Sequence, residues 1–337
     1  MAPDNALLIR TATREGSELG AEDACVLFAA MLGGEVAPRE LSAITAAWQG
    51  RRASLAEMTG FMRALDAQTG RLEKRHEGPR PVVLPAYHGT RRQANLTALV
   101  ALLLKRYEIP VLVHGLGGKA GSDTTLQRQA GKVVSDPAFA APDGPIEHPV
   151  TTADVLLELG IEPAASLADA QSRLRHGGIA YVPSAVLVPG LARLFASSPR
   201  HPLPAFAHLV AMLIDPFGGD GYRVIGAASA DDLATMRAFV LASRADALLF
   251  EGTEGESFAD PRRQTRLEHI AGGTVTPCAD AEVDGSDREP SLPAASDAAT
   301  TAAWIANVLA GTEPVPPPII MQLGCCLAGA RRQGVAA

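Results

Sequence analysis

Val82-Val-Leu-Pro-Ala-Tyr-His-Gly-Thr-Arg-Arg-Gln-Ala-Asn-Leu-Thr-Ala-Leu-Val-Ala-Leu-Leu-Leu-Lys-Arg-Tyr-Glu-Ile-Pro-Val-Leu-Val-His114 decides the fold. Val82-Val-Leu84 reads as a buried strand, Asn95 to Lys105 as a helix, and Val111-Leu-Val113 as a second strand. Strand, helix and strand within about thirty residues make a βαβ unit, whose strands run parallel because the helix crosses back over the sheet. The expected class is α/β with a mixed, mostly parallel central sheet.

Upstream the hydrophobic period is helical. Ala21 to Leu32 places Cys25, Leu27, Phe28, Met31 and Leu32 at helical spacing, and Gly33-Gly34 ends the run. Ala37-Pro-Arg-Glu40 starts a helix carrying Leu41, Ile44 and Trp48. Ser54-Leu-Ala-Glu57 is a capping box opening a third, with Met58, Phe61, Met62 and Leu65 on one face. These positions suit a helical core or a surface shared with a partner. They predict a small N-terminal helical domain over residues 1–77, joined by helices from about 184–213. Glu77 to Pro81 reads as a hinge, and an α/β domain spans 78–337.

Downstream, Ile179 to Val182, Arg223 to Gly226 and Asp246 to Phe250 read as strands. Helices are expected at Thr151 to Leu159, Ser166 to Leu174, Leu203 to Leu213, Ala230 to Ala242 and Thr300 to Leu309. Pro314 to Pro318 stiffens the turn into a last helix. Asp280 to Ala295 is polar and Pro-punctuated, hence a loop. Residues 116–148, rich in Gly, Ser, Asp and Pro, read as an inserted surface loop.

Of the 337 residues 47% are hydrophobic but only 4% aromatic, so aliphatic side chains must fill the core. No run is long enough to span a bilayer. Met1 to Arg10 lacks a basic stretch followed by an apolar core, so no secretion signal is expected. Cys25, Cys278, Cys325 and Cys326 show no zinc-ligand spacing, and a reducing, cytoplasmic compartment is the simpler expectation. Net charge is −7, yet Arg71 to Lys132 holds eleven Lys/Arg against four Asp/Glu, a local +7. That basic run is either an ordinary solvated surface or a surface for anions.

Several segments offer chemistry. His114-Gly-Leu-Gly-Gly-Lys-Ala120 loosely fits a dinucleotide turn, but no clear helix or ribose-binding acid follows. It is no P-loop, because Lys119 precedes Ala120 instead of Ser or Thr. His88 and His114 each end an expected strand, where α/β proteins place ligands, although a single His there is more often structural. Glu251-Gly-Thr-Glu254-Gly-Glu256 is either a metal-binding or a plain acidic loop.

Taken together, these segments resemble the anthranilate phosphoribosyltransferase superfamily (glycosyltransferase family 3, near the nucleoside phosphorylases). The residues that carry this are Leu27-Phe-Ala-Ala-Met-Leu-Gly-Gly-Glu-Val-Ala-Pro-Arg-Glu-Leu41, Val111-Leu-Val-His-Gly115 and Thr152-Ala-Asp-Val-Leu-Leu-Glu-Leu-Gly160. The resemblance implies a class III phosphoribosyltransferase-like fold. Within it, Pro85 to Thr97, Glu251 to Glu256, Thr300-Thr-Ala-Ala-Trp304 and Leu323-Gly-Cys-Cys-Leu327 are similar to the YbiB-like branch.

The departures bear on function. Active members carry a Gly-rich phosphate loop where this chain has Pro85-Ala-Tyr-His-Gly89. Proline removes an N–H donor, and tyrosine adds bulk. The acid pair that holds a second magnesium matches Gly255-Glu256, so one carboxylate is missing. Leu116-Gly117 and the insertion replace the usual Asn-Arg.

The resemblance implies a homodimer, joined through the helical domain, that binds DNA or RNA through a basic stripe without sequence preference, catalysis or cofactor. The candidate stripe is Arg71, Lys74, Arg75, Arg80, Arg91, Arg92, Lys105 and Arg106. His88, Gly89, Asn95, Thr97, His114, Gly115, Glu254 and Glu256 would remain as a residual ligand pocket. The alternatives are an enzyme acting on a phosphoribosyl or nucleoside substrate, with Mg as its cofactor, and a dimeric scaffold that meets an acidic protein.

Overall fold

A computed structural model describes residues 5–14, 16–48, 51–74, 77–117, 149–197, 205–282 and 290–332. Its strands are β1 (Val82–Ala86), β2 (Val111–Gly115), β3 (Ile179–Pro183), β4 (Tyr222–Ala227), β5 (Ala247–Glu251), β6 (Leu267–Ala271) and β7 (Thr274–Ala279). They form one sheet in the order β3-β2-β1-β4-β5-β6-β7. The first five are parallel, and β6 and β7 run antiparallel. The mixed, mostly parallel sheet expected from the βαβ unit is present.

Both faces of the parallel strands are buried, which is why they read as continuous apolar runs. Val83, Leu112, Ala180, Ile225 and Leu249 point to one core. Val82, Leu84, Val113, Tyr181, Val224 and Phe250 point to the other. The first face meets the helices α1 (Asn5–Ala12), α2 (Ala21–Gly33), α3 (Pro38–Trp48) and α4 (Leu55–Gln68) through a shared core. The second is covered by α5 (Thr97–Arg106) and α6 (Thr152–Glu158), and by two helices that follow β7.

Between α6 and β4 lie α7 (Leu167–Gly177), α8 (Ser184–Leu187), α9 (Pro189–Ser197) and α10 (Ala205–Met212). From α10, Phe206 stacks on Phe61 at 4.4 Å and meets Trp48 at 4.7 Å, so this segment packs into the N-terminal helical core. α11 (Ala230–Ala242) joins β4 to β5, and α12 (Ala298–Ala310) and α13 (Pro317–Arg331) follow β7. The capping boxes at Ser54/Glu57 and Thr151/Asp154 fix the starts of α4 and α6.

Helix α1 and the β6–β7 hairpin go beyond the expected elements. β6 buries Glu268 and His269, so its polarity conceals an inner strand. Its partner carries Pro277, which suits an edge. The Gly272-Gly273 turn, at φ 57° and 83°, is the signal for this hairpin, because both central residues need positive φ. Of the expected 116–148 insertion, residues 118–148 lie outside the described residues. Among the described residues no helix is long and apolar enough to cross a membrane.

Candidate functional site

Strand order reverses direction between β1 and β4, whose pairing stops at Val83 and Arg223, so their C-terminal ends diverge at the switch point where α/β proteins place ligands. Three segments meet there: the loop after β1, the loop after β5, and the start of α6. The first two touch through a close crossing. A Cβ on Gly226 or Gly252 would lie 2.0 or 2.1 Å from the Glu256 carbonyl oxygen. Only glycine permits that approach, and it delivers Glu256 beneath the β1 loop.

Glu256 is fully buried. Its Oε1 accepts hydrogen bonds from the backbone N–H of His88 at 2.9 Å and of Gly89 at 2.7 Å. Gly89 holds φ 65°, which turns both N–H groups inward. The Thr97 hydroxyl donates to Oε2 at 3.3 Å, and the Thr152 hydroxyl lies 3.0 Å from the same oxygen. Asn95, also buried, ties the two threonines together: its Oδ1 accepts from Thr97 N at 3.2 Å and from the Thr152 hydroxyl at 3.1 Å. Burial raises the Glu256 carboxyl above its ordinary range, and the Gly89, His88, Thr152 and Thr97 donors pull it back only in part.

A second carboxylate fills the adjoining turn. Glu254 Oε2 accepts from Arg91 N at 2.9 Å, and Oε1 accepts from Arg92 N at 3.0 Å and Gln93 N at 3.1 Å. Successive N–H groups aimed at one point make an anion nest. Here the anion is a side chain of the same protein, held by a residue at φ 50° in a short 3₁₀ turn, Thr253–Gly255. The β1 loop is thus a row of five inward N–H donors whose anions are Glu256 and Glu254. Glu254 and Glu256 of the acidic loop are engaged by backbone donors, and among the described residues no group of three His, Cys, Asp or Glu converges as a metal site. This donor set suits carboxylates.

Beside the loop lies an aromatic and histidine cluster. The Tyr87 hydroxyl and His114 Nδ1 are 3.0 Å apart, with Tyr87 fully buried. The His88 and His208 rings lie 5.1 Å apart, and Phe195 meets His208 at 5.0 Å. Burial pushes His88 and His114 down to about 3 and His208 to about 4, so all three rings are neutral near pH 7. At the end of β2, Gly115 passes Ala86 so closely that a Cβ would lie 1.8 Å from its carbonyl oxygen.

Every expected pocket residue therefore falls in one neighbourhood. Thr152, Phe195 and His208 join it from segments that sequence spacing alone does not link. The basic residues do not share one place. Arg71, Lys74 and Arg80 precede β1, and Lys105 and Arg106 precede β2, at the N-terminal edge of the sheet. Arg71 pairs with Asp66 at 2.6 Å, Lys74 with Asp220 at 2.6 Å, and Arg80 with Asp246. Lys105 is exposed, and Arg106 donates to the Leu309 carbonyl at 3.0 Å. Arg75 lies outside the described residues. Arg91 and Arg92 sit at the opposite, C-terminal edge.

They gain neighbours there that the basic count over 71–132 omitted. Arg262 Nη1 donates to Gln93 Oε1 at 2.8 Å, bringing Arg262 and Arg263 beside the Arg91–Gln93 turn. Among the described residues none of these four exposed arginines pairs with a carboxylate side chain. The adjacent pair in Pro261-Arg-Arg263, just beyond the acidic loop, is the signal that could have found them.

No family model matches the chain. The chain is 32% identical over 312 residues to the Escherichia coli (strain K12) protein YbiB, itself described as uncharacterized, covering 92% of this chain and 88% of that one. Among solved structures it is similar to anthranilate phosphoribosyltransferase (TrpD) from Thermus thermophilus, with a TM-score of 0.69, 21% identity, and coverage of 96% and 88%. The Saccharomyces cerevisiae enzyme in complex with PRPP and Mg aligns with a TM-score of 0.66 at 11% identity, covering 97% of this chain and 89% of that one. These two likenesses establish the fold.

Proposed function

This chain belongs to the YbiB family, on an anthranilate phosphoribosyltransferase fold, and from that premise we propose that it binds nucleic acid without reading sequence. The single observation that carries the reading is the filled cradle. Glu254 and Glu256 take the five N–H donors of the β1 loop. With those donors engaged, what the loop offers an outside anion is the side chains of Arg91 and Arg92, with Arg262 and Arg263 beside them. Guanidinium groups on a rim suit phosphates of a strand that lies across the mouth, and such contacts position a backbone without discriminating bases. The resemblance to the YbiB-like branch points the same way. The cluster at the C-terminal edge is the better candidate surface, because Arg71, Lys74 and Arg80 are already paired with acids. A homodimer would present the cluster twice.

The test is fluorescence anisotropy with labelled single- and double-stranded oligonucleotides over a salt series. Binding should weaken steeply with salt, with a log–log slope of about −0.9 per duplex phosphate neutralised and about −0.7 per single-strand phosphate. Arg91→Ala/Arg92→Ala/Arg262→Ala should flatten that slope and weaken all sequences alike. A salt-independent constant, or a triple variant that binds as the parent does, overturns the reading.

One observation favours a second reading. Asn95, Thr97 and His114 keep polar groups at the strand ends, on a fold whose yeast neighbour was solved with PRPP and Mg. An enzyme acting on a phosphoribosyl or nucleoside substrate would need Glu256 to leave its donors. Calorimetry with phosphoribosyl pyrophosphate and magnesium separates the two: a micromolar constant supports the enzyme, and no heat supports the binder.

A further inference from the structure

Helix α13 is apolar on every side. Its inward residues Ile319, Leu323, Cys326 and Ala330 close the second core. Its outward residues Pro317, Ile320, Met321, Gly324, Ala328 and Arg331 are all exposed, and Leu327 among them is half-buried. They recur at intervals of three and four residues, the spacing of one helical face. Ile320 is 54% and Met321 46% exposed, and no charged residue interrupts the stripe before Arg331. A helix that is apolar all round is normally covered on both sides, and among the described residues this one is covered on one.

We propose that this face is a contact between two copies of the chain, with their α13 helices packed antiparallel about a two-fold axis at Gly324. A two-fold contact must be self-complementary, because one patch meets itself. Ile320 and Ala328 lie four residues to either side of Gly324, so the axis sets the large Ile320 over the partner's small Ala328. Met321 and Leu327, three residues to either side, meet in the same way. A Cβ on Gly324 would find nothing within 4 Å, so the two backbones can approach at the axis to the short end of the usual helix spacing of about 8–10 Å.

The charges select a second copy and its direction. Arg331 closes the stripe at one end, and Glu313 precedes it at the other. Among the described residues neither is in an ion pair: Arg331 is exposed, and Glu313 accepts only from the Ser291 hydroxyl, at 2.6 Å. Antiparallel packing sets Arg331 over the partner's Pro317, about a turn from the partner's Glu313. Parallel packing would set Arg331 against the partner's Arg331. The N-terminal helices lie on the opposite face of the sheet, so this contact is separate from a dimer joined through the helical domain. Fifteen residues at about 1.5 Å each make a face about 22 Å long. One such face per copy falls short of the roughly 1,200 Å² of a standard interface, so the association is weak and grows with concentration.

The test uses the full chain without nucleic acid. Gly324→Cys places a thiol on the axis, where there is space for it. Mild oxidation should capture a dimer bridged at position 324, as mapped by peptide mass spectrometry. Capture should be about tenfold faster than for Ala306→Cys, at an exposed site on α12. Adding Met321→Lys, a change at an exposed position, should slow capture about tenfold, because it sets charge against the apolar face of each copy. In sedimentation velocity the mean mass of the unaltered chain should rise with concentration, and Met321→Lys should flatten that rise. Capture at position 324 no faster than at position 306, or a mass curve that Met321→Lys leaves unaltered, overturns the proposal and leaves the face to another protein or a lipid surface.

Discussion

The Gly89 backbone nitrogen donates to Glu256 Oε1 at 2.7 Å, across 167 residues of chain. A loop shaped to grip an outside anion is thereby closed by an inside one. The Thr152 hydroxyl divides its single proton between this carboxylate and Asn95 Oδ1, and three donors serve the carboxylate alone: the N–H groups of His88 and Gly89 and the hydroxyl of Thr97. Glu256→Ala would leave them buried without an acceptor. Each unsatisfied group costs about 1–3 kcal/mol, so the expected loss is about 4 kcal/mol by urea denaturation. Glu256→Gln keeps the oxygen that serves both N–H groups, and the threonine hydroxyls can rotate to accept from its amide. It should stay within about 1 kcal/mol of the parent. Equal losses for Ala and Gln would mean that the charge matters more than the donors.

Glu254 lies nearer the surface and works against the proposed function. Its negative charge sits under Arg91 and Arg92, and its carboxylate holds their N–H groups. Glu254→Gly removes that charge and relieves a residue held at φ 50°, a conformation that favours glycine. Oligonucleotide affinity should rise by roughly threefold, and by less at high salt, because one repulsive charge at the rim is screened over about 10 Å. Stability should change by no more than about 1 kcal/mol, since the lost hydrogen bonds and the relieved strain oppose each other. Weaker binding by this variant would show that nucleic acid does not approach this loop.

Sequence reading reached the sheet but only half of the site. Val82 to Leu84 and Val111 to Val113 are legible because strands buried on both faces must be apolar throughout. His88, Gly89, Asn95, Thr97, His114, Glu254 and Glu256 stand at strand ends, where ligands belong, and the structure gathers them. What spacing could not give is who bonds to whom. Glu256 reads equally as a metal ligand or a loop acid until Gly226 and Gly252 are seen to let its backbone pass. The count of basic residues over 71–132 measures proximity in sequence, and a parallel sheet sends residues before and after a strand to opposite edges. So Arg80 and Arg91, eleven apart, separate, while Arg91 and Arg262 become neighbours.

Within the helical core, Glu57 is fully buried and pairs with Arg51 at 2.5 Å, and the Arg51 guanidinium lies 4.5 Å over the Trp48 ring. Glu57 also accepts from Leu19 N at 2.9 Å and closes the capping box at Ser54 N, 2.8 Å away. Removing one partner of such a pair strands the other. Glu57→Ala should therefore cost about 3–5 kcal/mol in urea unfolding. The loss should change little between low and high salt, because solvent ions do not screen a buried pair as they do a surface one. A loss below about 1 kcal/mol would reduce the pair to a surface-type contact.

The three histidines set a pH dependence with a definite sign. Burial lowers His88, His114 and His208 to about 3, 3 and 4, so the fold holds them neutral, whereas the unfolded chain protonates them near the ordinary value of 6.5. Their contribution is complete above pH 6.5 and is lost as pH falls towards 4. Unfolding near pH 5 should take up about three protons, and the urea midpoint should drop steeply from pH 7 to 5. Glu256 acts with the opposite sign: its raised pKa favours the fold below the ordinary glutamate value of 4.5, and that contribution fades as pH rises through the folded pKa. It therefore opposes the histidine trend between 4.5 and its own folded pKa. His208→Phe, which retains a ring to meet Phe195, removes one of the three protons and should make the decline about one third shallower. A midpoint that stays flat from pH 7 to 5, with no proton uptake on unfolding, would mean that these rings are already protonated in the fold and that the cluster is open to water.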